Sequence, residues 1–321
     1  MRNLKIPCRR IAGLIILFQI LYISTAVSFT AAPCSVVSDT EEKSISTAAS
    51  PVADCEPEAR EYKILLLPEN FSDPVKGMTE YWKIAASTAK SLGLKVRETD
   101  KPEAEPKRFV TYLDTPSHEL KKCGFIFRRR CSKPAESKTC ELVLKARSSN
   151  AYQAASANVL TTPMHDGTVS FEEDISMHKS PSGSFEPVRL YSRSGSLRLK
   201  TEPWNKVKDL SAIFPGLRDL KIPSTTEIRS VRNIDICEHR MKPGKIYFGK
   251  FKAKVTLTVW QIVGENKPWI AEFSFTMNLS DKDIHNSKVG QKALDLCRAI
   301  MKKTQSWLAD GMTKTSMVYG E

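Results

Sequence analysis

The sequence predicts an α+β domain dominated by an antiparallel β-sheet. Runs in which apolar and polar residues alternate recur from about residue 61 to 278, and this period of two is typical of strands with one buried face. Segments with helical periodicity stand near both ends of that region. At 321 residues and 41% apolar content, the chain can bury a single core, and it contains no internal repeat.

The first thirty residues have the layout of a secretory signal. A basic stretch "MRNLKIPCRR" precedes the apolar run "IAGLIILFQILYI" and then small and polar residues. The alternative is an uncleaved membrane anchor, but the apolar run is shorter than the ~20 residues that a membrane span needs. We therefore expect a signal peptide over 1–30, a secreted or extracytoplasmic location, and no stable membrane span once the signal is removed.

A flexible linker is predicted over 31–59, because this stretch is rich in Ser, Ala, Glu and Pro and poor in large apolar residues. The folded domain then occupies 60–321. Its first strand is "EYKILLL", and the following "PVKGMTEYWKIAASTAKSLGL" places Met78, Trp82, Ala85 and Ala89 on one helical face. Gly93 lies where this helix should end.

The next elements are mostly strands. "LKVRET", "RFVTYLDT", "FIFRRR" and "ELVLKA" each alternate, and "PSHELKKC" is a short helix between the second and third. The Ser-, Pro- and Gly-rich region 147–200 holds two strands, "VSFEEDIS" and "SLRLKT". A short helix "VKDLSAIFPGL", three strands ("TEIRSVRNIDI", "GKFKAKVTLTVWQIV" and "PWIAEFSFTMN") and the helix "SKVGQKALDLCRAIMKKTQSWLADG" complete the domain.

"FRRRCSKPAESKTCELVLKA" predicts a hairpin in which Cys131 faces Cys140. Directly opposed residues lie within the Cα separation that a disulfide spans, so we expect these two cysteines to pair. Successive side chains alternate faces. One face then carries Ile126, Arg128, Arg130, Glu141, Val143 and Lys145, and the other carries Phe125, Phe127, Leu142, Leu144 and Ala146.

Other strands repeat this division between a charged and an apolar face. Lys250, Lys252 and Lys254 share a face of "KFKAKVTLTVW", and Glu61 and Lys63 share a face of the first strand. If helices cover the apolar side, the charged side must face solvent or the inside of a closed sheet. A barrel of about eight strands can hold one small ligand, and a cationic interior requires a bound anion or water because buried unpaired charge is costly.

The chain has a formal net charge of +13, which favours anionic partners. Export implies an oxidising compartment in which the eight cysteines, or seven once Cys8 is removed, can pair. Asn70 and Asn278 lie in glycosylation sequons. Five scattered histidines show no metal-ligand spacing, and the sequence contains no Gly-rich phosphate loop and no nucleic-acid-binding motif.

The stretch "YLDTPSHELKKCGFIFRRR" resembles the CYTH, or triphosphate tunnel metalloenzyme, family, whose pattern is a Tyr-x-Asp-Thr-Pro strand end, a short helix and a strand with Arg-x-Arg. "ELVLKA" is similar to the next strand of that family, "EYKILL" to its opening Glu-x-Glu-x-Lys, and "IAEFSF" to its late Glu-x-Glu strand. The closing "TKTSMVYG" also looks like the end of some members. The resemblance implies an eight-stranded antiparallel tunnel with helices packed outside.

The resemblance also implies the ligands of the site. The implied phosphate-binding residues are Lys63, Arg128, Arg130 and Lys145, with Lys254 as a further candidate and Arg229 or Arg232 as a weaker one. Glu61 and Glu272 would hold Mg²⁺ or Mn²⁺. Guanidinium groups match phosphate oxygens, and Mg²⁺ binds carboxylates together with substrate phosphates.

The sequence departs from the family on its acidic side. Ala59, Thr258 and Ser274 stand where the family has carboxylates. Glu172, Glu173 or Asp174 could compensate for this loss. The cationic positions are kept, so anion binding is better preserved than metal activation.

Three functions are compatible with these residues. The first is a metal-dependent phosphohydrolase acting on tripolyphosphate, a nucleoside triphosphate or a related phosphoanhydride. The second is a non-catalytic tunnel that binds polyphosphate or another polyanion. The third, a module that binds glycosaminoglycan or nucleic acid on its outer surface, requires the cations to be exposed.

Overall fold

A computed structural model describes residues 56–99, 104–133, 139–200, 204–279, 287–309 and 313–321. The predicted signal peptide and most of the predicted linker lie outside these residues. No helix in the described ranges is long and apolar enough to cross a bilayer.

Eleven strands make up one sheet within the described residues. They are β1 (Ala59–Leu66), β2 (Lys95–Glu98), β3 (Arg108–Asp114), β4 (Phe125–Cys131), β5 (Thr139–Ser148), β6 (Thr168–Lys179), β7 (Phe185–Lys200), β8 (Arg229–Met241), β9 (Gly244–Phe248), β10 (Phe251–Ile262) and β11 (Pro268–Asn278). The helices are α1 (Pro74–Ser91), α2 (Glu119–Lys122), α3 (Ala151–Ala155), α4 (Val207–Ile213), α5 (Ser287–Lys303) and α6 (Lys314–Tyr319).

Nine of these strands close into a barrel in the order β11-β1-β6-β7-β5-β4-β3-β8-β10, because β10 also pairs with β11. The eight-stranded, fully antiparallel prediction was therefore wrong in detail. A closed ring of alternating strand directions needs an even number of strands, so a ring of nine must contain a parallel pair. That pair is β1 with β6. Strands β9 and β2 extend the sheet outside the ring, next to β10.

Helices α1 and α5 cover the outer face of β1, β10 and β11. Asp73 caps α1, where its side chain accepts from the Lys76 amide at 3.0 Å. The predicted apolar face of α1 is buried in a core shared with these strands, including Met78, Trp82, Ala85 and Ala89. The helix ends at Ser91, and Gly93 follows with a φ of +74°, which only glycine adopts readily. The predicted end of this helix near Gly93 is confirmed.

The β4–β5 hairpin has the predicted register. Cys131 pairs with Cys140 and Arg130 with Glu141, and the two cysteines form a disulfide with a Cα–Cα distance of 4.5 Å. The apolar face packs outward against α2 and α4, where Phe127 contacts Phe214 edge-on. The charged face therefore points into the barrel.

Candidate functional site

The inside of the barrel, called the lumen below, encloses a cavity of about 430 Å³. Its wall is strongly charged. Eight basic residues line it: Lys63, Arg108, Arg128, Arg130, Lys145, Arg147, Arg240 and Lys314. Six carboxylates also line it: Glu61, Glu141, Glu172, Asp174, Glu238 and Glu272. The lumen therefore carries a formal excess of two positive charges.

Asp174 on β6 is the centre of one charge cluster. Its carboxylate lies 2.7 Å from Lys63 Nζ, 3.5 Å from Lys145 Nζ and 3.6 Å from Arg147, and it accepts from the Ser192 hydroxyl at 3.2 Å. Burial alone would raise the pKa of Asp174, but the three cations hold it well below its usual range. Asp174 is therefore ionised and organises these cations.

Lys63 and Lys145 respond to this cluster in opposite ways. Lys63 also contacts Glu61 at 2.9 Å, and the two carboxylates raise the pKa of Lys63 against the effect of burial. Burial lowers the pKa of Lys145 to about 8, and the nearby positive charges of Arg147 and Lys63 act in the same direction. Lys145 is thus the lysine of this cluster whose charge a bound anion would stabilise most.

A second cluster lies on the β3, β4 and β8 side of the lumen. Arg108 Nε donates to Glu238 at 2.6 Å, and Trp260 Nε1 donates to the same carboxylate at 3.1 Å. Burial would raise the pKa of Glu238, but Arg108, Lys314 and Arg130 lower it to about 2. Repulsion from Arg128 and burial lower the pKa of Arg130 to about 10. The neighbouring guanidinium groups of Arg128 and Arg130 therefore have too little carboxylate charge close by to balance their own positive charge.

Four lumen arginines have unused donors. The buried Nε atoms of Arg128, Arg130, Arg147 and Arg240 have no hydrogen-bond partner among the described residues. Arg130 reaches Glu141 at 3.4 Å through another nitrogen, and the Arg128 guanidinium stacks 5.8 Å from the centre of the Tyr112 ring. Buried donors are normally satisfied, so these atoms lack an acceptor that an oxyanion would supply.

Helix α6 closes one end of the cavity. Lys314 Nζ lies 2.6 Å from Glu272 and 5.0 Å from the centre of the Trp260 ring. The Tyr319 hydroxyl donates to Asp114 at 2.9 Å. Apolar side chains fill the barrel around this contact, including those of Val110, Tyr112, Ile126, Ile236, Trp260, Ile270 and Val318.

Of the sequence-predicted phosphate ligands, Lys63, Arg128, Arg130 and Lys145 line the cavity, whereas Lys254 and Arg229 do not. Lys254 is exposed beside the cavity wall, opposite Thr276. Arg229 is exposed and pairs with Glu227. Arg232, the other weak candidate, donates to the carbonyl of Met317 at 3.2 Å, also outside the cavity.

The two predicted metal ligands line the lumen but lie apart along the strands. Glu61 pairs with Thr276, four residues from Glu272 on β11, which is about 13 Å along the strand. Each carboxylate already contacts a lysine, Lys63 or Lys314. In the described part of the chain, no group of three or more His, Cys, Asp or Glu side chains is arranged to hold a metal ion. The residues do not fit a preformed Mg²⁺ or Mn²⁺ site.

One of the three missing carboxylates, that at Ala59, has an acidic neighbour on β6, and a second β6 carboxylate lies next to Glu61. In the parallel register, Glu172 lies beside Ala59 and Asp174 beside Glu61. Sequence reasoning named both only as possible compensation, because it did not predict that β6 pairs with β1.

Sequence reasoning missed five charged residues of the lining: Arg108, Arg147, Glu238, Arg240 and Lys314. Continuing "ELVLKA" by one residue would have reached Arg147 on the face of Lys145. Arg108 is the first residue of the predicted strand "RFVTYLDT", and continuing "RNIDI" by four residues would have reached Glu238 and Arg240. Lys314 has no such signal, because it reaches the lumen through the placement of α6.

No protein-family model matches the chain, and no curated protein sequence matches it. Solved structures do match. One is a candidate adenylyl cyclase from Hippeastrum described as having a dominant triphosphatase activity, with 10% identity over 81% of this chain and 94% of that one and a TM-score of 0.39. Another is a candidate adenylate cyclase from Bacillus halodurans, with 14% identity over 81% and 98% and a TM-score of 0.34.

A third matching structure is a protein from Pyrococcus horikoshii, with 12% identity over 75% of this chain and 89% of that one and a TM-score of 0.28. Identities below 25% and TM-scores below 0.5 transfer no activity. The interpretation of the lumen therefore rests on its own side chains.

Proposed function

We propose that this CYTH-like barrel binds a triphosphate or a polyphosphate in its lumen. The observation that carries the proposal is the set of buried Nε donors of Arg128, Arg130, Arg147 and Arg240, which have no acceptor among the described residues. Phosphate oxygens are strong acceptors, and guanidinium groups bind them with matching geometry. Inorganic tripolyphosphate and a nucleoside triphosphate both supply such oxygens.

The charge balance of the lumen supports an anionic ligand. Its eight basic residues exceed its six carboxylates, and uncompensated buried charge is costly. A polyvalent anion would compensate the excess and relieve the repulsion between Arg128 and Arg130.

Metal-dependent hydrolysis with Mg²⁺ or Mn²⁺ is the second candidate function. Glu172 and Asp174, which lie beside positions 59 and 61, favour it because they restore carboxylates to that part of the wall. The ion pairs of Glu61 and Glu272 with lysines oppose a preformed metal site. Anion binding is therefore the primary proposal, and turnover is tested separately.

We also propose that the chain is secreted. The Cys131–Cys140 disulfide supports this, because disulfides persist in oxidising compartments outside the cytosol. The basic and apolar residues at the start of the sequence support it as well.

The test is calorimetric titration of the purified protein with tripolyphosphate and with ATP. We expect one tripolyphosphate per chain, and an affinity about 10- to 100-fold weaker in Arg128→Gln and in Lys145→Gln, because each removes a charge-assisted hydrogen bond. Arg218→Gln is the matched control, since Arg218 is exposed and does not line the cavity. Equal affinities in all four proteins would overturn the proposal.

Phosphate release is measured in parallel, with and without Mg²⁺ or Mn²⁺. Metal-dependent release that is lost in Glu61→Gln would establish the hydrolase. Binding without release would establish a non-catalytic receptor.

A further inference from the structure

A basic surface continues the lumen wall outside the barrel. We call it the basic apron and define it as the outward side chains of β2, β9 and the first part of β10: Lys95, Arg97, Lys245, Tyr247, Lys252 and Lys254. All six are exposed or half-buried. The opposite face of the same strands is buried against α1 and α5, including Ile246, Phe248 and Ala253. Because that face is buried, the basic side chains on the other face must point away from α1 and α5.

The apron residues form two rows across the three strands. One row runs Lys95, Tyr247, Lys252, and the other runs Arg97, Lys245, Lys254. Neighbouring strands lie about 4.8 Å apart, so five cations crowd a small surface around one aromatic ring. Lys95 Nζ lies 5.7 Å from the centre of that ring.

No ion pair among the described residues neutralises these five cations. Glu98, the carboxylate that follows Arg97, pairs with Lys90 of α1 at 2.8 Å. The apron therefore presents an unbalanced positive charge to solvent.

The second row leads directly into the cavity. Lys254 pairs with Thr276 on β11, Thr276 pairs with Glu61 on β1, and Glu61 lies beside Asp174 on β6. Thr276, Glu61 and Asp174 all line the cavity. From Thr276 to Arg97 the row crosses three strand spacings, about 15 Å. A ligand must be an extended chain to contact the lumen and the whole apron together.

We propose that the apron binds the extended part of a linear inorganic polyphosphate whose end occupies the lumen. The inference rests on the proposed function and specifies its substrate class as long-chain rather than tripolyphosphate. The repeating charge of the polymer matches the second row, in which Arg97, Lys245 and Lys254 place one cation on each successive strand. The apron adds affinity without contacting the reacting or terminal phosphates.

The test compares tripolyphosphate with polyphosphate of about one hundred phosphates in competition titrations at several salt concentrations. The apron variant is K95Q/R97Q/K245Q/K252Q; Lys254 is kept because it borders the cavity. The matched control is K76Q/K83Q/K292Q/K302Q, which removes the same charge from exposed lysines of α1 and α5. All eight residues are exposed or half-buried, so both variants should fold.

In the wild type and the control, we expect the long chain to bind more tightly than tripolyphosphate. In the apron variant that preference should fall at least tenfold, and the slope of log affinity against log salt should become shallower by about 3, since four phosphate contacts are lost. Tripolyphosphate affinity should stay unchanged. An apron variant that behaves like the control would overturn the inference.

Two further outcomes are distinguishable. If wild-type protein does not bind tripolyphosphate, the proposed function fails independently of the apron. If a heparin oligosaccharide of equal charge binds the apron as tightly as polyphosphate does, the apron is a general polyanion surface and the assignment to polyphosphate is overturned.

Discussion

At the scale of single residues, Lys145 has the environment that most directly links charge to ligand binding. Its side chain is 8% exposed, and burial lowers its pKa to about 8. A phosphate anion would raise this pKa again. Below pH 8 the lysine is already charged, whereas above pH 8 binding must take up a proton.

We therefore predict that tripolyphosphate affinity falls as the pH rises above 8, by up to tenfold per pH unit. Calorimetry between pH 6.5 and 9.5 measures this. The control is Lys145→Arg, which stays protonated throughout and should remove the step while the ionisation of the ligand is unchanged. The same step in both proteins would contradict the role of Lys145.

Asp114 and Tyr319 form a buried contact that holds α6 on the barrel. The hydroxyl of Tyr319 donates to Asp114 at 2.9 Å, and the same carboxylate accepts backbone amides of Thr115, Leu120 and Lys121. Burial raises the pKa of Asp114 despite these donors. Loss of the hydroxyl leaves a buried acceptor short of one donor.

Tyr319→Phe should therefore lower the free energy of unfolding by about 1–2 kcal/mol, as measured by urea denaturation. Tyr152→Phe is the control, because Tyr152 is 65% exposed and its change should stay within about 0.5 kcal/mol. Equal losses in both variants would show that the contact between α6 and Asp114 contributes nothing specific.

At the scale of elements, the β4–β5 hairpin was the most predictable part of the chain. Strict alternation placed Arg128 and Arg130 on one face and Phe127 on the other, and two cysteines fixed the register. A shift of the strand register by one residue would have moved every side chain to the opposite face of the sheet. The disulfide therefore holds two arginines of the lumen wall in register.

Replacing both cysteines by serine should lower the free energy of unfolding by about 2–3 kcal/mol, since the closed loop spans about ten residues. Thermal melting of the variant and of the reduced wild type measures this, and the two should agree. Cys237→Ser, which changes a cysteine that is not in a disulfide, is the control. A reduced wild type that melts at the oxidised temperature would contradict the prediction.

The β6–β7 hairpin was harder to predict from sequence. Its polar faces are rich in serine, such as Ser192, Ser194 and Ser196, and serine is not among the β-branched and aromatic residues that are enriched in strands. The sequence therefore indicated two short strands where β6 and β7 have 12 and 16 residues. Glu172 and Asp174, two of the six lumen carboxylates, lie in the part of β6 that the sequence did predict, so the underestimate concerned the length of the hairpin and not these residues.

At the scale of the whole molecule, closure of the barrel depends on β1. This strand pairs with β11 on one side and β6 on the other, whereas β2 pairs with β9 alone. Backbone amides of β1 are therefore held in a closed ring, and those of β2 lie at a free edge in the described sheet.

Hydrogen exchange should consequently be slowest in β1 and its neighbours and much faster in β2. Mass spectrometry of peptides covering 59–66 and 95–98 measures both in one sample, so each strand serves as a control for the other. Equal exchange rates would show that the barrel is not closed through β1 in solution.

The class of the fold was predictable because alternation and helical periodicity are local signals. Barrel closure was not, because the partner of β1 is a strand more than one hundred residues away and parallel to it. The same limit applies to the site. Arg128, Arg130, Lys63 and Lys145 follow from single strands. The ion pairs of Glu272 with Lys314 and of Asp174 with Lys63 depend on elements that meet only in the folded chain.

The lumen carries its own counter-ions, and this determines how it exchanges ligands. Asp174 and Glu238 already form ion pairs with cations that an incoming anion would contact. Such an anion must therefore displace these carboxylates, as a solute ion displaces the bound ions of an exchange resin. A monovalent anion such as chloride gains too little to displace them. An anion with several linked charges can bind several of these cations at once. The internal carboxylates should therefore make the lumen select for polyvalent anions such as polyphosphates over monovalent ions.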